Sequence, residues 1–289
     1  MRRTHIRKRS YDLFSNYDFY LPGFRGMLVL LLMFLIGVLA GNAVAILLKL
    51  LFQGALSDTY TTLIVYPVQF IPAMLYASAM SRREAGFVTG KAVDGRNFGR
   101  YSAALLAMAV SFMTIASAFL CDGISSLMPP MPEMLQKMLE ALTEGPVWAT
   151  LLSVSVFAPF FEEWLCRGMI QRGLMQKHSP ATAIAVSAAF FAIIHMNPWQ
   201  AVPAFLLGLL FGYVYYRTGS LKLTMLMHCV NNTLSVILSR IPALKEAENF
   251  TDILSPWAYA LICIACIVCI MSGIALFRSI PQEEEHGCN

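Results

Sequence analysis

The chain has 289 residues, of which 57% are hydrophobic and only 13% are charged, with a formal net charge of +4 and a mean hydropathy of +0.62. Soluble domains usually carry about 25% charged residues, so a water-soluble globular enzyme is excluded, and the aromatic and aliphatic content excludes a disordered chain. The composition predicts an integral membrane protein surrounded by the lipid bilayer. We expect no nucleic-acid partner, and the sequence assigns no oligomeric state.

Eight apolar segments follow one another along the chain, and each is predicted to be long enough to cross about 30 Å of hydrocarbon as a helix. The sequence therefore predicts an all-α, polytopic membrane protein with a bundle of about eight transmembrane helices. The fifth to seventh segments are at the short end of the range. The segments are Met27–Phe52, Thr61–Met80, Tyr101–Cys121, Val147–Ile170, Ala181–Met196, Ala201–Tyr216, Leu223–Leu238 and Ser255–Phe277.

Basic residues are distributed unevenly between the two sides of this predicted bundle. If the N-terminus is cytoplasmic, only four of the 21 Lys and Arg residues fall on the outer side, namely Lys49, Lys137, Arg240 and Lys245. Cytoplasmic loops carry an excess of Lys and Arg, so both termini are predicted to be cytoplasmic. The stretch 122–145 contains Glu133, Glu140 and Glu144 and is predicted to be an outer loop.

Ionisable and amide side chains lie within three of the predicted helices, where they are costly. An Asp, Lys or Arg at the centre of a span costs roughly 2.5–3.5 kcal/mol on insertion scales, so such residues indicate a functional site. Together these residues supply carboxylates, imidazoles and an amide, which are groups able to move protons and donate hydrogen bonds. They are Glu162, Glu163 and Arg167 in the fourth segment, His195 in the fifth, and His228 and Asn232 in the seventh.

Helical spacing predicts which of these side chains share a face. Glu163 and Arg167 are four residues apart, so they can form a buried ion pair that holds the helix in register. Glu162 is rotated by about 100° and is predicted to face another neighbour. A turn near residues 178–180 places Glu162 and His195 each about 16 residues away, and hence at one level of an antiparallel hairpin.

These motifs resemble those of a known family. Glu162-Glu163-x-x-x-Arg167, Phe191-x-x-x-His195 and His228-x-x-x-Asn232 are similar to the three motifs of the CAAX protease and bacteriocin-processing (CPBP, or Abi) family. The resemblance implies an eight-helix bundle with a peptidase site inside the bilayer. Family members include CAAX prenyl endopeptidases and bacterial proteins linked to bacteriocin processing or immunity, which predicts a multi-pass protein of a bacterial cell membrane.

Four regions follow from the spans and the resemblance. We expect a basic cytoplasmic N-terminal segment at 1–26 and three transmembrane helices with their loops at 27–145. The catalytic helical core is expected at 146–240. The last transmembrane helix and an acidic cytoplasmic tail are expected at 241–289.

The hypothesis for function is hydrolysis of a peptide bond in a membrane-associated protein or peptide. Glu162 is predicted to be the general base, and His195 positions the water. His228 and Asn232 are predicted to donate hydrogen bonds to the oxyanion. This hypothesis requires no cofactor.

A zinc-dependent, metalloprotease-like version of the same enzyme is the alternative, because two His and one Glu are a common catalytic zinc set. Its ligands would be Glu162, His195 and His228. Two further alternatives are a transporter that uses these residues as a proton relay, and an immunity partner that acts by contact alone. A substitution of Glu162 by Gln distinguishes these hypotheses, because it keeps shape and hydrogen bonding but removes the base, and a biological phenotype that survives it does not depend on catalysis.

Overall fold

The structure is a computed structural model that describes residues 13–143, 145–241 and 250–282. The basic residues before position 13, Glu144, Lys245 and the acidic tail after position 282 lie outside the described residues. The described ranges contain nine helices of eleven or more residues and no strand. The helices are α1 Phe24–Leu51, α2 Asp58–Glu84, α3 Ala103–Ser125, α4 Glu133–Thr143, α5 Val147–Leu174, α6 Pro180–Ile193, α7 Pro198–Thr218, α8 Leu221–Leu238 and α9 Pro256–Arg278.

All eight predicted apolar helices are present, and the chain is an integral, multi-pass, all-α membrane protein. Seven of them are long and apolar enough to cross a membrane. The exception is α6, whose 14 residues extend about 21 Å at 1.5 Å per residue. This helix is therefore too short to cross about 30 Å of hydrocarbon, so the prediction that the fifth segment crosses the membrane is wrong.

The helix α4 was not predicted, because its residues were assigned to an outer loop. Its apolar residues Leu135, Met138, Leu139 and Leu142 are spaced at three and four positions, which is the pattern of an amphipathic helix. Lys137 also forms an ion pair with Glu133 one turn earlier, at 2.6 Å. This short helix lies beside α2 and the start of α5.

Local sequence explains where the helices of the core begin and end. Ser179, Asn197 and Ser220 precede α6, α7 and α8, and each side chain accepts a hydrogen bond from a backbone N–H of the first turn. Gly219 adopts a left-handed conformation with φ of +64° and ends α7, a position that favours glycine. Gly219 and Ser220 together explain the short turn between α7 and α8.

Helices α1 and α2 pack closely through small residues. A Cβ atom at Gly37 would lie 1.8 Å from the backbone oxygen of Gln69 in α2, so only glycine permits this contact. On the opposite side of α1, Leu39 and Leu50 are 70% and 72% exposed, as expected for side chains that contact lipid. This packing brings α2 against the core helices.

One end of the bundle is held together by arginine side chains. Arg172 in α5 donates to the backbone oxygens of Tyr17 and Tyr20, at 2.8 and 2.9 Å. Arg217 in α7 donates to the carbonyl of Phe277 at 3.0 Å, and also to that of Arg278 at 2.8 Å. The first described residues and the end of α9 therefore lie at the same end of the bundle.

Candidate functional site

The helix that carries the paired carboxylates is not a regular α-helix. In α5, residues Leu151–Phe157 and Trp164–Gln171 are π-helical, and the α-helical turn Ala158–Glu163 lies between them. Such π-helical turns are rare and frequently occur at functional sites. Glu162 and Glu163 thus lie at the junction of two different helical geometries.

Glu163 and Arg167 form the predicted ion pair. Nη1 of Arg167 is 2.8 Å from Oε1 of Glu163, and both side chains are completely buried. The same guanidinium donates to the backbone oxygen of Gly208 in α7 at 3.0 Å, and its Cζ lies 4.7 Å from the ring centroid of Phe191. Arg167 therefore links α5 to both α6 and α7.

The two glycines of α7 explain how these contacts are reached. Gln171 donates to the backbone oxygen of Gly212 at 2.7 Å, one turn beyond the contact of Arg167 with Gly208. A Cβ at Gly212 would lie 2.8 Å from Oε1 of Gln171, and one at Gly208 would lie 3.1 Å from Ala188 in α6. The Gly-x-x-x-Gly spacing allows polar side chains of α5 to reach the backbone of α7.

His228 lies between the two carboxylates. Its Nδ1 is 3.1 Å from Oε1 of Glu163, and its Nε2 is 3.9 Å from Oε2 of Glu162. The prediction that Glu162 and Glu163 face different neighbours is therefore only partly right, because α8 places one imidazole against both. A carboxylate held by Arg167 accepts hydrogen bonds, which assigns a proton to Nδ1 of His228.

His195 follows the end of α6 and lines the same cavity as Glu162 and His228. Its Nδ1 is 2.7 Å from the backbone oxygen of Phe191, so Nδ1 carries the proton and the neutral ring keeps an acceptor lone pair on Nε2. The next residue, Met196, has a φ of +54°, an unusual conformation for a residue with a side chain. Glu162 and His195, which the sequence predicts to lie at one level, line the same cavity.

Asn232 is held in a defined orientation by two neighbours. Its Nδ2 donates to the backbone oxygen of Val154 at 2.6 Å, in the first π-helical segment of α5. Its Oδ1 accepts a hydrogen bond from Asn231 at 3.1 Å. One amide hydrogen of Asn232 is committed to Val154, and the second is available to another acceptor.

These side chains surround a cavity of about 620 Å³. The described residues that line it include all four predicted catalytic residues, namely Glu162, His195, His228 and Asn232. Leu139 and Glu140 of the unpredicted helix α4 also line it, as does Tyr66 of α2.

The hydroxyl of Tyr66 donates a hydrogen bond to Oε1 of Glu162, a contact that the sequence analysis missed. Tyr66 is a polar residue within a predicted span, and an intramembrane polar residue could have been noticed on that ground. Its spacing relative to the motifs carries no signal, because it lies on a distant helix.

The zinc-dependent alternative, with Glu162, His195 and His228 as ligands, stays a prediction. Within the described part of the chain, no three His, Cys, Asp or Glu side chains are grouped closely enough to hold a metal ion. Glu162, His195 and His228 line one cavity.

Comparison with known proteins identifies the segment that carries these residues. Residues 144–234 match the family model described as type II CAAX prenyl endopeptidase Rce1-like. The matched segment contains the paired glutamates, Arg167, His195, His228 and Asn232. No curated protein and no solved structure matches the chain significantly. The predicted resemblance to the CAAX protease family is confirmed over this segment.

Proposed function

We propose that this chain hydrolyses a peptide bond of a membrane-associated protein or peptide, with water activated by Glu162 and His195. The premise is the match of residues 144–234 to the Rce1-like type II CAAX prenyl endopeptidase family. The observation that carries the proposal is the hydrogen bonding of the two carboxylate oxygens of Glu162. Its Oε1 is hydrogen-bonded, whereas its buried Oε2 has no hydrogen-bond partner among the described residues and lies 3.9 Å from Nε2 of His228. A carboxylate held in this way has one oxygen available to accept a proton from water.

The proton and bond changes follow from the hydrogen bonds around the site. Glu162 accepts a proton from water, and the oxygen of that water attacks the carbonyl carbon of the substrate. The carbon–nitrogen bond then breaks, and the same proton passes from Glu162 to the leaving amine. The lone pair on Nε2 of His195 accepts a hydrogen bond from the water and orients it for attack.

The oxyanion formed by attack needs hydrogen-bond donors. We assign this role to the second amide hydrogen of Asn232 and to Nε2 of His228. Because Nδ1 of His228 already donates to Glu163, the ring can donate from Nε2 only when both nitrogens are protonated. Glu163 stabilises that imidazolium, and Arg167 holds Glu163 in place.

Cleavage of a defined probe tests the proposal. Purified wild type in lipid vesicles is given an internally quenched peptide that ends in an S-farnesylated cysteine and three further residues. Membranes of cells with wild type or Glu162→Gln are compared in parallel, to find a protein precursor that accumulates. We expect cleavage of the probe or of that precursor by the wild type, with activity reduced by roughly 10²–10⁴-fold in Glu162→Gln and in His195→Ala.

The matched control is Glu84→Gln, which removes a carboxylate at the end of α2 and should leave activity unchanged. Equal cleavage by wild type and Glu162→Gln would contradict the proposal. So would the absence of both probe cleavage and an accumulated precursor. A biological phenotype that survives Glu162→Gln would instead favour an immunity partner that acts by contact alone.

The orientation and location of the protein are a separate part of the proposal. We propose that both termini lie on the cytoplasmic side of a bacterial cell membrane, because the arginine-rich end of the bundle carries the first described residues and the end of α9. Glu162 then lies about midway along α5, away from both ends of this helix.

A further inference from the structure

Tyr66 contacts the predicted general base from outside the family segment. It lies in α2, whereas the matched segment begins at residue 144. Its hydroxyl donates a hydrogen bond to Oε1 of Glu162, and its ring forms part of the cavity wall. We propose that Tyr66 is a positioning residue that fixes the carboxylate of Glu162 so that Oε2 is the oxygen that meets the water. This inference rests on the proposed peptidase function.

The ring of Tyr66 is held by aromatic packing. Its centroid lies 5.6 Å from that of Phe70 in the same helix, and Phe70 stacks on Phe161 of α5 with centroids 5.2 Å apart and planes 17° apart. Phe70 is almost completely buried, and Phe161 is adjacent to Glu162 in the chain. Aromatic pairs of this kind stabilise the arrangement of their rings, so this packing holds Tyr66 where its hydroxyl donates to Glu162.

A single donor is sufficient to orient this carboxylate. Tyr66 occupies Oε1, which leaves Oε2 facing His228 beyond direct hydrogen-bond distance. Without the hydroxyl, the carboxylate could rotate about its last bond and place either oxygen towards His228. The water would then lose its fixed acceptor, although the base itself would still be present.

The other polar groups near Glu162 cannot replace this donor. Glu163 is a second carboxylate, and its Oε1 is bound to Arg167. His228 approaches the other oxygen, and His195 is held by the carbonyl of Phe191. Tyr66 therefore provides the hydrogen bond that defines which oxygen of Glu162 is free.

A substitution of one atom tests this role. Tyr66→Phe removes the hydroxyl and keeps the ring, and Tyr76→Phe is the matched control, since it removes a hydroxyl from a partly buried ring of the same helix. With the probe peptide or the accumulated precursor, we expect kcat of Tyr66→Phe to fall about 10- to 100-fold while KM stays within about twofold. Tyr76→Phe should match the wild type in both constants.

An infrared measurement reports on Glu162 without any substrate. The carboxyl band of Glu162 is identified as the band that is lost in Glu162→Gln. In Tyr66→Phe this band should shift, because its hydrogen bond is lost, and in Tyr76→Phe it should not move.

The outcomes separate this inference from the proposed function. If Glu162→Gln is inactive but Tyr66→Phe matches Tyr76→Phe, only the positioning role is refuted. A lower kcat with an unshifted Glu162 band would also refute it, because the loss would then be structural. If Glu162→Gln is fully active, the peptidase proposal fails, and the infrared band still decides whether Tyr66 orients Glu162.

Discussion

The substitution Arg167→Met tests how the buried ion pair supports the core. It keeps an unbranched side chain but removes the charge that contacts Glu163 at 2.8 Å and the donor that contacts Gly208 at 3.0 Å. Breaking a fully buried pair leaves an uncompensated charge and costs about 3–5 kcal/mol, and the lost hydrogen bond adds about 1 kcal/mol. At roughly 2–4 °C per kcal/mol, the melting temperature should fall by about 10–20 °C.

Thermal unfolding of the purified protein in detergent measures this change, with the completely buried Trp164 as a fluorescent reporter. The control is the double variant Glu163→Gln/Arg167→Met, in which no stranded carboxylate remains. It should be more stable than Arg167→Met by about 2 kcal/mol, because the penalty for an unpaired buried charge is removed. A single variant that melts within about 2 °C of wild type, or a double variant that is less stable than the single one, would refute the reasoning.

Two further predictions concern the oxyanion donors and the topology. His228→Ala and Asn232→Ala should each leave residual cleavage of the same probe, reduced by roughly 10²–10³-fold, because each removes one donor but keeps Glu162. Complete loss of activity in Asn232→Ala, with an unchanged melting temperature, would assign it a larger role. A reporter that is active only in the cytoplasm should be active when it is fused after Asn289. Activity of a reporter that works only outside the cytoplasm would reverse the orientation of the bundle.

The predictions that depend on one helix at a time were the most accurate. Composition and span length predict the membrane class and the eight apolar helices, because the cost of an exposed backbone in lipid leaves few alternatives. The Glu163–Arg167 pair follows from a spacing of four residues. The level of His195 relative to Glu162 follows from counting residues on both sides of one turn.

The contacts between distant helices required the tertiary structure. Side chains that face lipid and side chains that pack between helices are equally apolar, so hydropathy does not indicate which face of α2 turns inwards. Tyr66 is on the face of α2 that turns inwards, and its hydroxyl therefore reaches Glu162. The packing of α8 against α5 likewise places His228 beside both glutamates.

Local geometry also altered what the spacing implies. The helix α6 ends at Ile193, which leaves His195 beside the left-handed Met196 rather than within a span. Glu162 and Glu163 lie in the α-helical turn of α5, where the 100° rule applies, but the rule does not predict that His228 of α8 lies against both carboxylates. Sequence alone therefore determined the class of the protein and selected the candidate residues that line one cavity, whereas packing between helices determined which of their atoms are in contact.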